Sequence, residues 1–281
     1  LMTWKVDAAG AALDGCSSAF DGDADMAYAL LLAERQWGNG GAIDYRAAFN
    51  RLIAGIEQSA VGPESRLPML GDWVDPAGSG DFDQWCFRTS DVMPGHFRAF
   101  AAAGRPVWSA VVTKSQAGIE RLQTVYAPQT GLLPDFAQPE GGADRRPRPA
   151  SPDFLEGDTD GAYNYNAGRD PWRIGVDALT SSDGVSREQA RRLAAWSRTS
   201  TAGVAAALRS GYNLDGTPLD GSNYFSSFFA APFGVAAMAD PEGAAWLRAI
   251  YDAVREAEEG YYEDSVTLLC LLVMTRNFWS P

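Results

Sequence analysis

The chain has 281 residues, 46% of them hydrophobic, and a formal net charge of −13. This composition is typical of a globular protein and not of a disordered or coiled-coil one. The excess of negative charge repels phosphodiester backbones, so we expect no nucleic-acid partner. No apolar run reaches the roughly 18 to 20 residues of a transmembrane helix, so we expect no membrane partner either.

Cysteine and histidine usage limits the chemistry further. Cys16, Cys86 and Cys270 lie far apart in the sequence, which argues against a Cys-rich zinc site and against a disulfide scaffold. His96 is the only histidine, so a triad would depend on it alone, and we interpret it as structural. We therefore expect neither a metal nor a cofactor.

The first six residues show neither a basic region nor an apolar signal-peptide core, and Leu1 is not a usual translation start. The sequence therefore predicts that the true N-terminus precedes Leu1.

Hydrophobic periodicity predicts a series of helices and few strands. A helix that is apolar almost all round, at 23–37, precedes an amphipathic one at 45–61, and this alternation recurs along the chain. The alternation favours two concentric layers of helices, an α/α barrel, within a single domain over residues 1–281; an irregular helical domain is the alternative. The other predicted helices are at 94–103, 107–126, 172–179, 187–201, 224–238, 242–258 and 265–274.

Two long stretches rich in Gly, Pro and Asp, at 62–91 and 128–170, interrupt the helices. Loops of this length are usually functional or disordered. We expect them to lie on one rim of the fold and to carry functional side chains.

Three aspartates, Asp21, Asp23 and Asp25, stand just before the first helix. Carboxylates at that place can accept backbone N–H bonds and cap the helix. They could also bind a sugar or act in catalysis, and a metal site is the third alternative, although the EF-hand pattern is absent. The residues alone leave these three alternatives open.

Glu156 lies in the second long loop, between the apolar pair Phe154 and Leu155 and the glycine Gly157. An apolar neighbourhood raises the pKa of a carboxyl group, and a tight turn can present that group to a cleft. Both features suit a general acid or base. A solvated loop glutamate is the alternative.

Several aromatic residues are placed at element ends or in loops, where a flat ring can stack on a sugar, although a buried core position is the commoner explanation for any one of them. Carboxylates, aromatic rings and Asn or Arg donors in the same loops favour a carbohydrate ligand. Glycoside hydrolysis needs two carboxylates and no cofactor. The aromatic candidates are Trp4, Trp73, Trp85, Tyr163, Tyr165 and Trp172.

Four segments together resemble glycoside hydrolase family 8, in family order from end to end of the chain. They read LMTWKV at 1–6, AFDGDADMAYALLLAERQW at 19–37, YNAGRDPWRI at 165–174 and YYEDSVTLL at 261–269. The resemblance implies an all-α fold, the (α/α)6 barrel, and an inverting endo-hydrolase of β-1,4-linked glycans.

The resemblance also implies roles for individual residues. Asp21 matches the aspartate that binds the distorted sugar at the cleavage point, although Phe20 stands where the family usually has Ser or Thr. The cellulase-like branch has its general base at the position of Asn166, and an asparagine cannot take up a proton. The chitosanase and lichenase branch has a glutamate in the preceding loop, where Glu156 fits. The positions that match the substrate cleft are Trp4, Trp73, Tyr165, Asn166 and Arg169.

The family's general acid lies upstream of the opening block, and no residue here matches it. Periodicity gives nine or ten helices, fewer than the twelve of the barrel, so we expect the N-terminal helices to be missing and an N-terminal segment or partner chain to complete the barrel. The sequence thus predicts a secreted enzyme acting on chitosan, mixed-linkage β-glucan or cellulose. The charge slightly favours a polycation such as chitosan. The alternatives are a non-hydrolytic carbohydrate-binding relative and a metal-dependent hydrolase built on the Asp21 cluster.

Overall fold

A computed structural model describes residues 1–13, 15–78 and 82–281. Within these ranges the chain forms nine α-helices, and each one overlaps a helix predicted from periodicity. Residues 79–81 of the first predicted loop lie outside the described ranges. The helices are α1 (Phe20–Trp37), α2 (Tyr45–Ser59), α3 (Pro94–Ala102), α4 (Val107–Arg121), α5 (Asp170–Thr180), α6 (Gly184–Ser200), α7 (Ser227–Ala237), α8 (Ala244–Val254) and α9 (Tyr261–Met274).

A small sheet accompanies the helices, with its strands in the order β1 (Phe87–Arg88), β2 (Phe136–Pro139) and β3 (Pro147–Pro149). Strands β2 and β3 are antiparallel, and Gln138 lies opposite Arg148. The second long loop therefore contains a hairpin. Proline at both ends of β3 removes two backbone donors, which keeps this hairpin short.

The chain divides into two compact units. The first comprises Leu1–Phe87, His96–Ser115 and Ser280–Pro281, and the second comprises Arg88–Gly95 and Gln116–Trp279.

An aromatic cluster forms the core of the first unit. Phe20 at the start of α1 meets Phe97 of α3 edge to face, with ring centroids 6.0 Å apart. Phe97 in turn contacts Trp108 of α4, with centroids 5.1 Å apart. The buried indole Nε1 of Trp108 donates to Glu57 Oε1 over 2.9 Å, so the one polar atom of this large ring is satisfied.

Helix α7 is the centre of the second unit, because every residue from Ser227 to Ala237 is buried. It packs against α5, α6, α8 and α9. Gly234 permits the close approach of α9, since a Cβ atom there would overlap the sulfur of Met274. The nearly continuous apolar run within the helix predicted at 224–238 is thus explained by packing on all sides.

Helix α9 has two apolar faces. Val266, Cys270 and Val273 are buried, whereas Leu268 is 58% exposed and Leu269 is 44% exposed. A helix that reads as apolar throughout therefore buries only one side within the described residues. Within residues 1–13, 15–78 and 82–281, no helix is both long enough and apolar enough to cross a membrane.

Candidate active site

The aspartates of the first unit do not cap α1 in the way the sequence suggested. Helix α1 begins at Phe20, and its N-cap is Ala19, whose side chain makes no cap hydrogen bond. Asp21 and Asp23 lie inside the first turn instead, where the positive end of the helix dipole stabilises their charge. Asp21 Oδ1 accepts the backbone N–H of Gly22 over 2.9 Å.

The other two aspartates of this cluster each have a structural contact. Asp23 is buried, and its Oδ1 accepts the backbone N–H of Met2 over 3.0 Å. Burial raises the pKa of Asp23, although the bond from Met2 opposes this. Asp25 Oδ1 lies 2.9 Å from Nε2 of His96, whose ring stacks on Tyr28 with centroids 3.9 Å apart. The structural interpretation of His96 therefore agrees with its packing.

The side chains of Asp21, Asp23 and Asp25 therefore each contact a different residue. Across the described ranges no group of three His, Cys, Asp or Glu residues is arranged to hold a metal ion.

The aromatic candidates separate into exposed and buried rings. Trp4 is 56% exposed and Trp73 is 42% exposed, so the rings of both are accessible for stacking. Tyr163 and Trp172 are buried, and the core explanation holds for these two. Trp85 is half-buried.

Glu156 belongs to the second unit and lies beside Asn166. Its Oε2 accepts a hydrogen bond from Asn166 Nδ2 over 2.8 Å, and its Oε1 lies 3.4 Å from Nη2 of Arg88. The side chain is 51% exposed. Amide and guanidinium donors therefore contact the carboxylate, in place of the apolar surroundings that the sequence suggested.

A buried aspartate that the sequence analysis missed holds the Glu156 turn. Asp160 accepts the backbone N–H groups of Leu155, Glu156 and Gly157 over 2.6, 3.0 and 3.1 Å. These three consecutive donors have no partner within a helix or strand, so the carboxylate satisfies them. The signal was the acidic residue three positions after Gly157.

A second missed aspartate holds the Asn166 turn. Asp135 is 4% exposed, and its Oδ1 accepts the backbone N–H groups of Asn164, Asn166 and Ala167 over 3.0, 3.1 and 2.6 Å. Burial raises the pKa of Asp135 to about 7, against the lowering effect of these bonds, and the nearby charge of Glu156 raises it further. The signal in the sequence was a single carboxylate inside the apolar run Leu-Leu-Pro-Asp-Phe.

Arg169 and Tyr165 complete this group. Arg169 is buried, and it donates from Nη2 to Asn166 Oδ1 over 3.2 Å and from Nε to Asn166 O over 3.3 Å. These bonds turn the amide so that its NH₂ group faces Glu156. Tyr165 stacks on Phe228 with ring centroids 5.4 Å apart, and its hydroxyl lies 3.1 Å from that of Tyr224. The structure thus brings Glu156, Tyr165, Asn166 and Arg169 together within one unit.

Comparison with known proteins relates nearly the whole chain to one family of enzymes. The sequence profile of the glycosyl hydrolases family 8 matches residues 1–276. The chain is 40% identical over 282 residues to a β-glucanase of Niallia circulans, covering all of this chain and 67% of that protein. It is 34% identical over 284 residues to an endoglucanase of Bacillus sp. strain KSM-330, covering 100% of this chain and 58% of that protein.

Solved structures give the same relationship. The β-1,3-1,4-glucanase from Paenibacillus sp. X4 aligns with a TM-score of 0.94 and 39% identity, over 100% of this chain and 72% of that chain. Rex8A from Paenibacillus barcinonensis aligns with a TM-score of 0.77 at 21% identity, over 98% of this chain and 71% of its own, which is a likeness of fold alone. The fold class expected from the sequence, the (α/α)6 barrel, is confirmed by this similarity.

Proposed function

Because this chain belongs to family 8 of the glycosyl hydrolases, we propose that it is an endo-acting glycoside hydrolase of β-linked polysaccharide, with Glu156 as its general base. The observation that carries the proposal is the contact between Glu156 and Asn166. The position that bears a carboxylate in one branch of the family bears an amide here, and that amide donates to a carboxylate from the preceding loop.

The chemistry follows from the two side chains. In an inverting reaction a carboxylate removes a proton from water while that water attacks the anomeric carbon from the face opposite the leaving oxygen, and the family's general acid, a second carboxyl group, protonates that leaving oxygen. The bond from Asn166 Nδ2 occupies Oε2 of Glu156. Oε1, whose contact with Arg88 Nη2 is longer at 3.4 Å, is then the oxygen that we propose accepts the proton from water.

The remaining candidates serve in binding. Asp21 is proposed to hold the sugar at the cleavage point, and Trp4, Trp73 and Tyr165 to stack on sugar rings, since their rings are exposed to solvent. Arg169 is proposed to act through Asn166, because it is buried and bonded to that residue.

Mixed-linkage β-1,3-1,4-glucan is the proposed substrate. Two similar proteins support it, one named a β-glucanase and one a β-1,3-1,4-glucanase. The negative charge that suits chitosan is a weaker argument, because acidic surfaces also serve solubility. Release of reducing ends from barley β-glucan, chitosan and carboxymethyl cellulose, measured side by side, tests the choice. A faster reaction on chitosan would contradict it, and glucan binding without any hydrolysis would favour the non-hydrolytic alternative.

We further propose an extracellular location, because a polysaccharide is too large to enter a cell.

The exposed leucines of α9, Leu268 and Leu269, support the proposal that another polypeptide segment or a partner chain covers this face in the assembled enzyme.

The decisive experiment is Glu156→Gln in the full-length protein. Glutamine keeps the size and the bond from Asn166 but cannot accept a proton from water, so kcat is expected to fall by about 10² to 10⁴ with little change in substrate binding. Asp158→Asn, at an exposed carboxylate in the same loop, is the matched control and should retain full activity. Unchanged turnover in Glu156→Gln would remove Glu156 from the mechanism.

The stereochemistry is tested separately. NMR of the first-formed product should show the α anomer, because inversion of a β-linkage gives that configuration. A first-formed β anomer would mean retention, and the assigned mechanism would then be wrong.

A further inference from the structure

Three adjacent peptide N–H groups in the Glu156 turn converge on one buried side chain. Oδ2 of Asp160 accepts from Leu155 and from Glu156 itself, over 2.6 and 3.0 Å, and Oδ1 accepts from Gly157 over 3.1 Å. Asp160 is 2% exposed. Hydrogen bonds to an ionised acceptor are stronger and shorter than neutral ones, so this carboxylate fixes the backbone from which the Glu156 side chain extends.

The Asn166 turn is held in the same way by a different carboxylate. Asp135 Oδ1 accepts from the N–H groups of Asn164, Asn166 and Ala167. Its second oxygen, Oδ2, makes a long contact of 3.5 Å with Nδ2 of Asn166. That same Nδ2 atom donates to Glu156, so Asp135 acts on both the backbone and the amide of Asn166.

The segments that carry these two anchoring carboxylates, Asp160 and Asp135, are also connected by backbone hydrogen bonds. The N–H of Asp135 donates to the carbonyl of Ala162 over 2.7 Å, and the N–H of Phe136 donates to the carbonyl of Asp160 over 2.9 Å. The backbone at one anchor therefore pairs with the backbone at the other. A shift of either turn would break bonds at both.

We propose that Asp160 and Asp135 are positioning residues for Glu156, the first by fixing its backbone and the second by fixing the Asn166 amide that orients its carboxylate. This inference rests on the proposed role of Glu156 as general base. In this proposal neither Asp160 nor Asp135 contacts the substrate. A misplacement of about 1 Å at a reacting group can lower a rate about 10²-fold, so the anchors should affect kcat far more than binding.

The first test is Asp160→Asn in the full-length protein, compared with Asp158→Asn as the control and Glu156→Gln as the reference. An asparagine at 160 must point its NH₂ group at one or two of the three N–H donors, whichever way the amide is turned. We expect kcat on barley β-glucan to fall about 10- to 10²-fold, with KM and the Kd for a mixed-linkage gluco-oligosaccharide unchanged. The stoichiometry of oligosaccharide binding, measured by calorimetry, corrects kcat for any unfolded fraction.

The second variant, Asp135→Asn, guards against a failure of the first to fold. Its Oδ1 can still accept all three backbone bonds, while its Nδ2 replaces the oxygen that faces the Asn166 amide. At about pH 8, where the wild-type Asp135 is ionised, we expect a folded protein whose kcat falls while its oligosaccharide Kd is retained.

The outcomes separate this inference from the function on which it rests. Loss of kcat without loss of binding in Asp160→Asn and Asp135→Asn supports the inference. Full kcat in both, with Glu156→Gln inactive, overturns the positioning role and leaves the proposed function intact. A parallel loss of kcat and binding in both variants would mean general disruption and would also overturn it. An active Glu156→Gln variant would overturn both.

Discussion

Asp135 should make the stability of this protein depend on pH in an unusual direction. Its pKa rises from the ordinary 3.8 to about 7 because burial disfavours the charged carboxylate. Since the unfolded chain releases this proton first, the native state loses stability as the pH rises from about 4 to about 7. Each pKa unit corresponds to about 1.4 kcal/mol, so the loss attributable to this one group approaches about 4 kcal/mol.

Asp135→Asn removes the titration and keeps the shape and the Oδ1 acceptor. We expect the variant and the wild type to have similar free energies of unfolding near pH 4, and the variant to gain relative stability up to about 4 kcal/mol by about pH 8. Urea unfolding followed by tryptophan fluorescence at several pH values measures the difference. The same series on Asp158→Asn, at an exposed position, should show no such trend. Wild-type and Asp135→Asn curves that run parallel across this range would refute the reasoning.

Two further predictions concern packing and buried polar groups. Gly168→Ala should lower the free energy of unfolding by about 1 to 3 kcal/mol, because the new Cβ would lie 2.6 Å from a ring carbon of Phe228. Gly157→Ala, with open space around the glycine, is the control. Equal melting temperatures for the two variants would contradict the argument. Glu57→Ala should cost about 1 to 3 kcal/mol, because it leaves the buried Trp108 indole N–H and the Arg105 guanidinium without their acceptor. Glu57→Gln should restore the part that belongs to Trp108, because its amide oxygen can still accept, but not the ion pair with Arg105. Thermal unfolding that does not distinguish Ala from Gln would count against this.

The helices were predictable because their signal is local. Apolar residues recur with the helical period in each segment, and the run that became α7 is nearly all apolar. The start of α1 was not predicted correctly, because Asp21 looked like a capping residue, whereas Ala19 occupies the N-cap without any side-chain bond. A capping preference is a statistical tendency, and here the burial of Phe20 outweighs it.

The site was predictable only in part, for a physical reason. The family resemblance identified Glu156 as the base because Asn166 stands where the other branch has its carboxylate, and in the structure Glu156 Oε2 lies 2.8 Å from Asn166 Nδ2. The roles of Asp135 and Asp160 depend on backbone donors in loops that approach only after folding. No local pattern distinguishes such an aspartate from a solvated one. Tyr163, which the sequence placed among the sugar-stacking candidates, is buried. Its burial could not be predicted for the same reason, because it depends on contacts that form only after folding.

The contact between Glu156 and Asn166 also limits how this site can change in evolution. Replacing Asn166 by aspartate alone would put two carboxylates 2.8 Å apart, and two such groups cannot both be ionised at that distance, so one would hold a proton. A neutral carboxylic acid is a poor proton acceptor, and the active site would then have two candidate bases that interfere with each other. Moving the base from the loop to the neighbouring turn therefore requires a second substitution, one that removes the carboxylate at 156.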